Sequence, residues 1–497
     1  MAMKANDELH GMYSAFKSKD TRFDGKFFVG ISSTGIYCRP VCKAKLPKSE
    51  NYTYYQTAAA AEQAGYRPCL LCRPELAPGT SVTDATASLL FRAVRLLEEN
   101  CGSGQNLEEL AAHLGCTSRH LRRTFAEEYH VSPVQYLQTC RLLLAKNLLT
   151  DTNLSVLDVA MAAGFGSLRR FNGLFKKQYR LSPTALRRQT GGEPKQQDSI
   201  TLTLGYRPPY LWKQILGFFA NRAIAGVEVI QNEKYMRTIQ LVTADQKPVY
   251  GWISVGESAK DNALNVTISA SLLTVLPQIL AKIRHLFDLY CDPDAIYEVL
   301  SDMNQIRPDL CIKGVRLPGC FDPFEIAVRA VLEQQITVKA AGTLAARLAK
   351  TYGTPIQTNF DGLTHTFPCP SDIIALEDDI GNHLGVLGII SSRAKTILEL
   401  ARVFVRGDIC FDLGVRPEME IEKLMSIHGI GNWTAQYIAM RAMGWTDAFL
   451  ETDAGIKKAL KPYNADERLQ MAEAWRPWCS YATINLWNSL QTKATNE

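Results

Sequence analysis

The sequence has no apolar run near the roughly 18–20 residues that span a bilayer. Its opening stretch, MAMKANDELHGMYSAF, lacks the apolar centre of a secretory signal. Both absences set the expectation of a cytoplasmic protein without membrane contact. The thirteen cysteines are odd in number, and nine of them stand singly, as suits buried reduced thiols in a reducing compartment. What is present is ordinary for globular proteins: 46% apolar and 21% charged residues. The 497 residues suffice for three or four domains. Charge is uneven. The net charge is +5, with +9 in residues 1–190 (25 basic, 16 acidic) and −4 in the remainder (30 basic, 34 acidic). That asymmetry points the N-terminal part towards a polyanion.

Punctuation divides the chain. LAPGTSVTD (76–84) and RRQTGGEPKQQDS (187–199) read as linkers. After the second, ITLTLGY, VEVIQNEKYMRTIQLV, PVYGWISV and ALNVTISA alternate like strands. From about residue 271 the apolar spacing becomes helical, as in PFEIAVRAVLEQQI, VKAAGTLAARLAKTYG and SRAKTILELARVFV. The fold class expected is multidomain and mainly α with α+β parts. It comprises a small zinc-bound α/β module (1–80), two helix-turn-helix units (85–190), a β-sheet-plus-helix subdomain (200–280) and a helical domain (281–497).

The four remaining cysteines form two close pairs, Cys38 with Cys42 in STGIYCRPVCKAK and Cys69 with Cys72 in GYRPCLLCRP. A CxxxC…CxxC set matches tetrahedral Zn2+ with four thiolates. The plain reading is a structural zinc knot, but a zinc-bound thiolate also remains a nucleophile. The residues around the cysteines resemble the N-terminal domain of the Ada methylphosphotriester repair proteins, over roughly residues 5–80. The resemblance implies that Cys38 takes a methyl group irreversibly from a DNA phosphotriester, with Cys42, Cys69 and Cys72 completing the ligands. Arg39, Lys43, Lys45 and Arg67 are cations that could hold phosphate, or merely solvated surface. The sequence departs from the family's expected basic residues before the last cysteine, where Leu70 and Leu71 stand.

NLEELAAHLGCTSRHLRRTFAEEY places a short helix, a turn at Gly115 and a second helix from Thr117 or Ser118. SVLDVAMAAGFGSLRRFNGLFKKQYRLSP repeats the layout around Gly164-Phe165. Arg119, Arg122 and Arg123 sit on one second helix, and Arg169, Arg170, Lys176 and Lys177 on the other, where they suit a major groove and its phosphates. Leu107, Leu110, Leu114, Phe125, Phe165, Phe171 and Phe175 read as core. The second copy resembles the AraC-type regulators. Joined to the zinc module, it suggests a switch: methylating Cys38 changes a formal −2 cluster to −1 and lessens repulsion from DNA.

LMSIHGIGNWTAQYIAMRAMG holds Gly429 and Gly431 between two helical patterns, a hairpin whose backbone amides can bind phosphate. FLETDAGIKK follows, with Asp453 22 residues after Gly431. This combination resembles the helix-hairpin-helix DNA glycosylases of the AlkA 3-methyladenine type, over nearly all of 200–490. The resemblance implies that Asp453 is the catalytic carboxylate and that Phe218, Trp433, Tyr437 and Trp487 line a base pocket, although each ring could be plain core. It also implies that Gln335 or Ile336 fills the gap left by a flipped base. Electron-rich rings favour a cationic base. Superfamily members that cut the backbone carry a lysine where Trp433 stands, so a monofunctional enzyme is expected. Where the family often has proline, Glu451-Thr452 stand.

The combined expectation is a bifunctional adaptive-response protein of the bacterial cytoplasm, associated with the nucleoid. It would accept methyl groups on Cys38, activate transcription when methylated, and excise alkylated purines. Its cofactor would be one Zn2+ and its partners double-stranded DNA and, when activating, RNA polymerase; the chain would be a monomer. No PCHR-type motif is present, so O6-alkylguanine acceptance is not expected. Two alternatives remain: a DNA-binding regulator with an inactive glycosylase-like domain, and a glycosylase for another damaged base.

Overall fold

The computed structural model describes residues 11–78, 88–99, 106–190, 198–259, 261–412 and 415–494. The chain forms two compact units, one of Met1–Pro208, Leu241–Val249 and Ser258–Ala281, the other of Pro209–Gln240, Tyr250–Glu257 and Lys282–Glu497. Most of the first expected linker lies outside the described residues. The second begins later than its composition suggested, because the helix Pro183–Thr190 runs through its first four residues.

In the first unit a helix over residues 11–18 precedes a four-stranded sheet in the order β3-β1-β2-β4. β1 (Phe28–Ile31) pairs antiparallel with β2 (Ile36–Cys38), with Val29 opposite Cys38, and with β3 (Tyr52–Tyr55). β4 (Arg67–Pro68) pairs parallel with β2, so the strand before Cys69 lies beside the strand that ends in Cys38. Phe16, Phe27, Val29 and Ile31 pack with Cys38, Cys42 and Cys69 in one apolar cluster. The metal-ligand candidates are thus built into the core of a small module.

Six helices follow between residues 107 and 190, and each begins at a polar cap. Asn106 and Glu109 form a reciprocal capping box on Leu107–His113. Thr117 caps Ser118–Tyr129, Ser155 caps Val156–Ala162, and Ser167 caps Leu168–Tyr179. Gly115 and Gly164 turn the chain between helices at φ +70 and +80, where a Cβ would be strained. Leu110, Leu114 and Phe125 are buried in one core, and Phe165, Phe171 and Phe175 are buried beside the other turn. The long helix Pro133–Asp151 joins the two halves. Its residues Ala145 to Leu149 are all buried, so it is covered on several sides.

That helix also receives the zinc module. Lys146 Nζ lies 2.6 Å from both Glu75 oxygens, and Arg73 donates to Asn147 and Asp151 at 2.8 Å. The Glu62 carboxylate accepts from Tyr37 and from Thr139, both at 3.1 Å. Burial raises the Glu62 pKa to about 8. In the same unit β5 (Ser199–Gly205) pairs antiparallel with β9 (Ala263–Ser269), from Ser199 opposite Ser269 to Gly205 opposite Ala263.

In the second unit, β7 (Lys234–Val242) lies between β6 (Glu228–Gln231) and β8 (Pro248–Glu257). The helix Trp212–Ala220 buries Trp212, Phe218 and Phe219. Four buried charges tie this part to the helix Pro323–Leu332: Arg237 pairs with Glu325 at 2.6 Å, and Arg329 pairs with Glu228 at 3.3 Å and Glu325 at 3.4 Å. The remaining helices include Val338–Tyr352, Ser391–Arg406, Pro417–Met425, Asn432–Ala442, Ala454–Ala459 and Cys479–Ala494. Among the described residues no helix is long and apolar enough to cross a membrane.

Candidate functional site

The zinc candidate is assembled from two short turns. Cys38 ends β2, and the Cys42 amide donates to the Arg39 carbonyl at 3.1 Å, closing the first turn. The Cys69 amide donates to the Tyr37 carbonyl at 3.0 Å, which brings the second pair alongside. All four Sγ atoms lie within 4.8 Å of one another. Four sulfurs at about 2.3 Å from one Zn2+ are roughly 3.8 Å apart, so this set fits that ion. The Arg39 amide donates to Cys72 Sγ at 3.3 Å. Cys38 is only 2% exposed, whereas Cys72 is half-buried.

The expected phosphate-binding cations divide into two groups. Lys43 and Lys45 are exposed and Arg67 is half-buried. Arg39 is turned inward: its guanidinium grips both oxygens of Asp24 and donates to the Cys72 carbonyl at 3.0 Å. Leu70 and Leu71 are exposed beside the cluster, at 44% and 63%. On the helical module, Arg119, Arg122 and Arg123 are exposed in the first turns of Ser118–Tyr129, and Arg169 and Arg170 likewise in Leu168–Tyr179. Arg122 reaches Glu108 at 3.4 Å, a surface contact that does not immobilise it.

The second site lies in the other unit. Asp453 caps the helix Ala454–Ala459, its Oδ1 accepting from the Ile456 amide at 3.0 Å and from Trp487 Nε1 at 2.9 Å. Among the described residues Oδ2 has no partner. One oxygen is therefore held by two donors while the other is available. Trp487 is near-parallel to Phe218, with 6.4 Å between centroids and 22° between planes. Trp433 and Tyr437, one helical turn apart, stack at 5.2 Å and 6°, and Tyr437 lies 6.5 Å from Trp487. The four rings expected in the pocket are thus brought together, and Trp487 links them to Asp453. Phe218 and Tyr437 are buried; Trp433 and Trp487 are half-buried.

The hairpin stands at the start of Asn432–Ala442. Gly429 has φ +90, and a Cβ there would meet Thr396 Oγ1 at 2.3 Å, so the turn requires glycine twice over. Gly431 is the N-terminal cap residue and is exposed. Gln335 is exposed at φ +56, at the tip of the turn after Pro323–Leu332. Its neighbour Gln334 donates from Nε2 to the Gly429 carbonyl at 2.9 Å and to Thr434 Oγ1 at 3.0 Å. The turn and the hairpin are therefore bonded directly.

Four residues that bear on the site were not read from the sequence. Gln334 makes that bond. Gly455 leaves the space Trp487 fills: a Cβ there would be 2.9 Å from Trp487 Cδ1 and 3.0 Å from Asp453 Oδ1. Its place two residues after Asp453 was the available signal. Arg222 and Arg441 place guanidinium carbons 3.9 and 4.9 Å from the Phe218 centroid. Arg222 follows Phe218 by four residues and Arg441 follows Tyr437 by four, so the spacing of one helical turn was the available signal for each.

Comparison with known proteins agrees with this layout. The chain matches the family models for the metal binding domain of Ada (residues 11–75), a helix-turn-helix domain (110–189), the AlkA N-terminal domain (201–322) and the HhH-GPD superfamily base excision DNA repair protein (328–477). It is 34% identical to the probable bifunctional transcriptional activator/DNA repair enzyme AlkA of Mycobacterium tuberculosis, covering 98% of this chain and 97% of that protein. It is 33% identical to DNA-3-methyladenine glycosylase 2 of Escherichia coli, over 57% of this chain and 96% of that one. The bifunctional transcriptional activator/DNA repair enzyme Ada of Escherichia coli is 34% identical over 25% of this chain and 34% of its own. The chain belongs to the family of bifunctional transcriptional activator and DNA repair proteins that join an Ada-type metal binding domain and a helix-turn-helix domain to an AlkA-type base excision domain.

Proposed function

We propose that this protein repairs alkylated DNA by two separate chemistries and reports one of them to transcription. The observation that carries the reading is Asp453: a carboxylate with one oxygen fixed by two N–H donors, the other available, at the edge of four clustered aromatic rings. A base flipped from the duplex would enter among the rings, with its sugar at the carboxylate. As the bond from C1′ to the base nitrogen breaks, its electron pair passes to the base and positive charge develops on the sugar. Asp453 stabilises that charge, and water then supplies hydroxide to C1′ and a proton to the departing base or solvent. A cationic alkylpurine such as 3-methyladenine leaves as a neutral molecule. Trp433 cannot form an imine, so the product is an abasic site in an intact strand. Gly429 and Gly431 would hold the backbone phosphate and Gln335 would fill the gap in the stack.

At the other site Cys38, Cys42, Cys69 and Cys72 would hold one Zn2+, which keeps their sulfurs deprotonated at neutral pH. Cys38 sulfur attacks the methyl carbon of a methylphosphotriester. The S–C bond forms, the C–O bond breaks with its pair going to oxygen, and the phosphodiester anion leaves. Hydrolysis does not cleave the thioether, so each molecule acts once. Lys43, Lys45 and Arg67 would hold phosphate, and Arg119, Arg122, Arg123, Arg169 and Arg170 would hold promoter DNA. Loss of one negative charge near DNA would tighten promoter binding and allow contact with RNA polymerase.

The deciding experiment is base release from methylated duplex DNA by wild type and Asp453→Asn. The substitution keeps shape and removes charge, and a fall of about 100-fold or more is expected with DNA affinity retained. Near wild-type release by Asp453→Asn refutes the mechanism. Cys38 is buried while Cys72 is half-buried, so mass spectrometry of the methylated protein tests the other assignment directly. A methyl group on Cys72 would overturn it.

A further inference from the structure

Two guanidinium groups lie over the Phe218 ring, and they are held differently. Arg441 is 3% exposed. Each of its three nitrogens is already bonded: Nε to the Pro318 carbonyl, Nη1 to the Tyr437 hydroxyl at 2.7 Å, and Nη2 to the Gly319 carbonyl at 2.9 Å. Arg222 is anchored only through its backbone, where its carbonyl accepts from Arg329 Nη2 at 2.5 Å. Among the described residues its side chain has no hydrogen-bond or ion-pair partner, and its Nε is buried without an acceptor. Six other arginines among the described residues also have a buried Nε without an acceptor, so what sets Arg222 apart is where its donor lies. The Arg222 guanidinium carbon is 3.9 Å from the Phe218 centroid and 5.8 Å from that of Trp487, whose indole N–H is bonded to Asp453. The guanidinium that carries this donor therefore lies against two of the four rings proposed to receive the base, one of which, Trp487, is bonded to the carboxylate.

We infer that Arg222 is a catalytic residue on the base side of the scissile bond, donating to the purine as it departs and thereby deciding whether neutral purines are released. This rests on the base-excision reading above. When the bond between C1′ and N9 breaks, the electron pair passes to the purine. A cationic alkylpurine becomes neutral and needs no assistance. A neutral purine becomes an anion until it takes up a proton, equal in count to the one the attacking water gives up. A guanidinium beside that developing anion stabilises it by charge and by an N–H bond to a ring nitrogen or exocyclic oxygen. Arg441 is fixed in place instead, since each of its nitrogens is bonded, to Pro318, Tyr437 or Gly319. Asp453 acts on the sugar and serves both classes of base. The two residues thus divide the reaction between the two fragments of the broken bond.

The test uses the full chain as wild type, Arg222→Gln and Arg222→Lys, in single-turnover release from duplexes differing only in one base, hypoxanthine (neutral) or 7-methylguanine (cationic). Arg222→Gln is expected to slow hypoxanthine release by about 100-fold while 7-methylguanine release stays within about threefold. Arg222→Lys, which keeps the charge, should recover part of the lost hypoxanthine rate. Tryptophan fluorescence melting of each variant shows whether the unit is still folded, and an unfolded Arg222→Gln hands the decision to Arg222→Lys, which must then favour 7-methylguanine more than wild type does. Equal slowing on both bases overturns the inference, as does a wild type that releases 7-methylguanine but no hypoxanthine. A wild type that releases neither base overturns the base-excision reading itself.

Discussion

Glu75→Gln should loosen the first unit alone. Glu75 and Lys146 are a closed pair: the Lys146 ammonium lies 2.6 Å from both carboxylate oxygens, and the side chains are 2% and 1% exposed. Arg73 adds a second contact to Glu75 at 3.0 Å. Replacing the carboxylate with an amide of the same shape leaves the lysine charge buried and uncompensated. Breaking a buried pair from one side typically costs about 3–5 kcal/mol. For a unit of this size that corresponds to a fall in melting temperature on the order of 10 °C. The sequence supplies its own assay. All seven tryptophans lie at or beyond Trp212, within the second unit, so tryptophan fluorescence reports that unit only, whereas far-ultraviolet circular dichroism reports both. Glu75→Gln should bring forward part of the dichroism transition and leave the fluorescence transition in place. The double variant Glu75→Leu, Lys146→Met should recover much of the loss, because apolar replacement of both partners is often neutral. A dichroism curve unchanged within about 1 kcal/mol would refute the assignment of this pair as the tie between the zinc module and the long helix.

Other outcomes are equally specific. Burial raises the Glu62 pKa to about 8 from an ordinary 4.5, so the folded state binds its proton more tightly than the unfolded one. Its stabilising contribution is complete below about pH 4.5 and declines as pH rises to about 8, so Glu62→Gln should flatten the melting temperature of the first unit across that window. A slope unchanged in the variant would contradict this. Gly455→Ala should displace Trp487 from Asp453 and cut base release by about 10-fold or more, with a stability loss of about 1–3 kcal/mol; wild-type release would show that the indole contact is dispensable. Chelation of Zn2+ should lower the dichroism transition and spare the fluorescence one, and metal analysis should find about one equivalent per chain.

The parts of this fold that the sequence disclosed are those with a local physical cause. Strands β5 and β9 alternate because each has one face turned inward, so ITLTLGY and ALNVTISA can be read without any partner. The helix starts at Thr117 and Ser167 are legible because an N-terminal cap acts within three residues. Helix Pro133–Asp151 was not singled out, since burial on several sides erases the one-faced stripe that marks a helix at a surface. The same reasoning explains the sites. The two cysteine pairs are close in sequence, so their spacing shows. Arg441 is bonded to Pro318 and Gly319, more than 120 residues away, and only the folded chain brings it over Phe218. Arg39 illustrates the converse. Its position beside Cys38 suggested phosphate, and Asp24, fourteen residues before Cys38, takes its guanidinium instead.

On the reading proposed here, the two reactions differ in what the protein keeps. A carboxylate that stabilises a sugar cation is returned unchanged when water completes the reaction, so Asp453 can act repeatedly. A sulfur that takes a methyl group keeps it, because the C–S bond offers no leaving group that water can displace at neutral pH. Methylated Cys38 therefore accumulates in proportion to phosphotriester damage and is not reset while that chain persists. A consumed acceptor is a poor catalyst but a sound counter, and a counter is useful only if something reads it. A route for such reading would run through contacts the structure does hold: Tyr37, the residue before Cys38, donates to Glu62, which also accepts from Thr139 on the helix that joins the two helix-turn-helix units. A change at Cys38 that shifts β2 would be felt at Glu62 and so at the helices that carry Arg122 and Arg170. If the switch were purely a matter of cluster charge, Tyr37→Phe would leave methylation-dependent promoter binding intact. If the contact also transmits, Tyr37→Phe would weaken the response to methylation while methyl uptake itself continued at the wild-type rate.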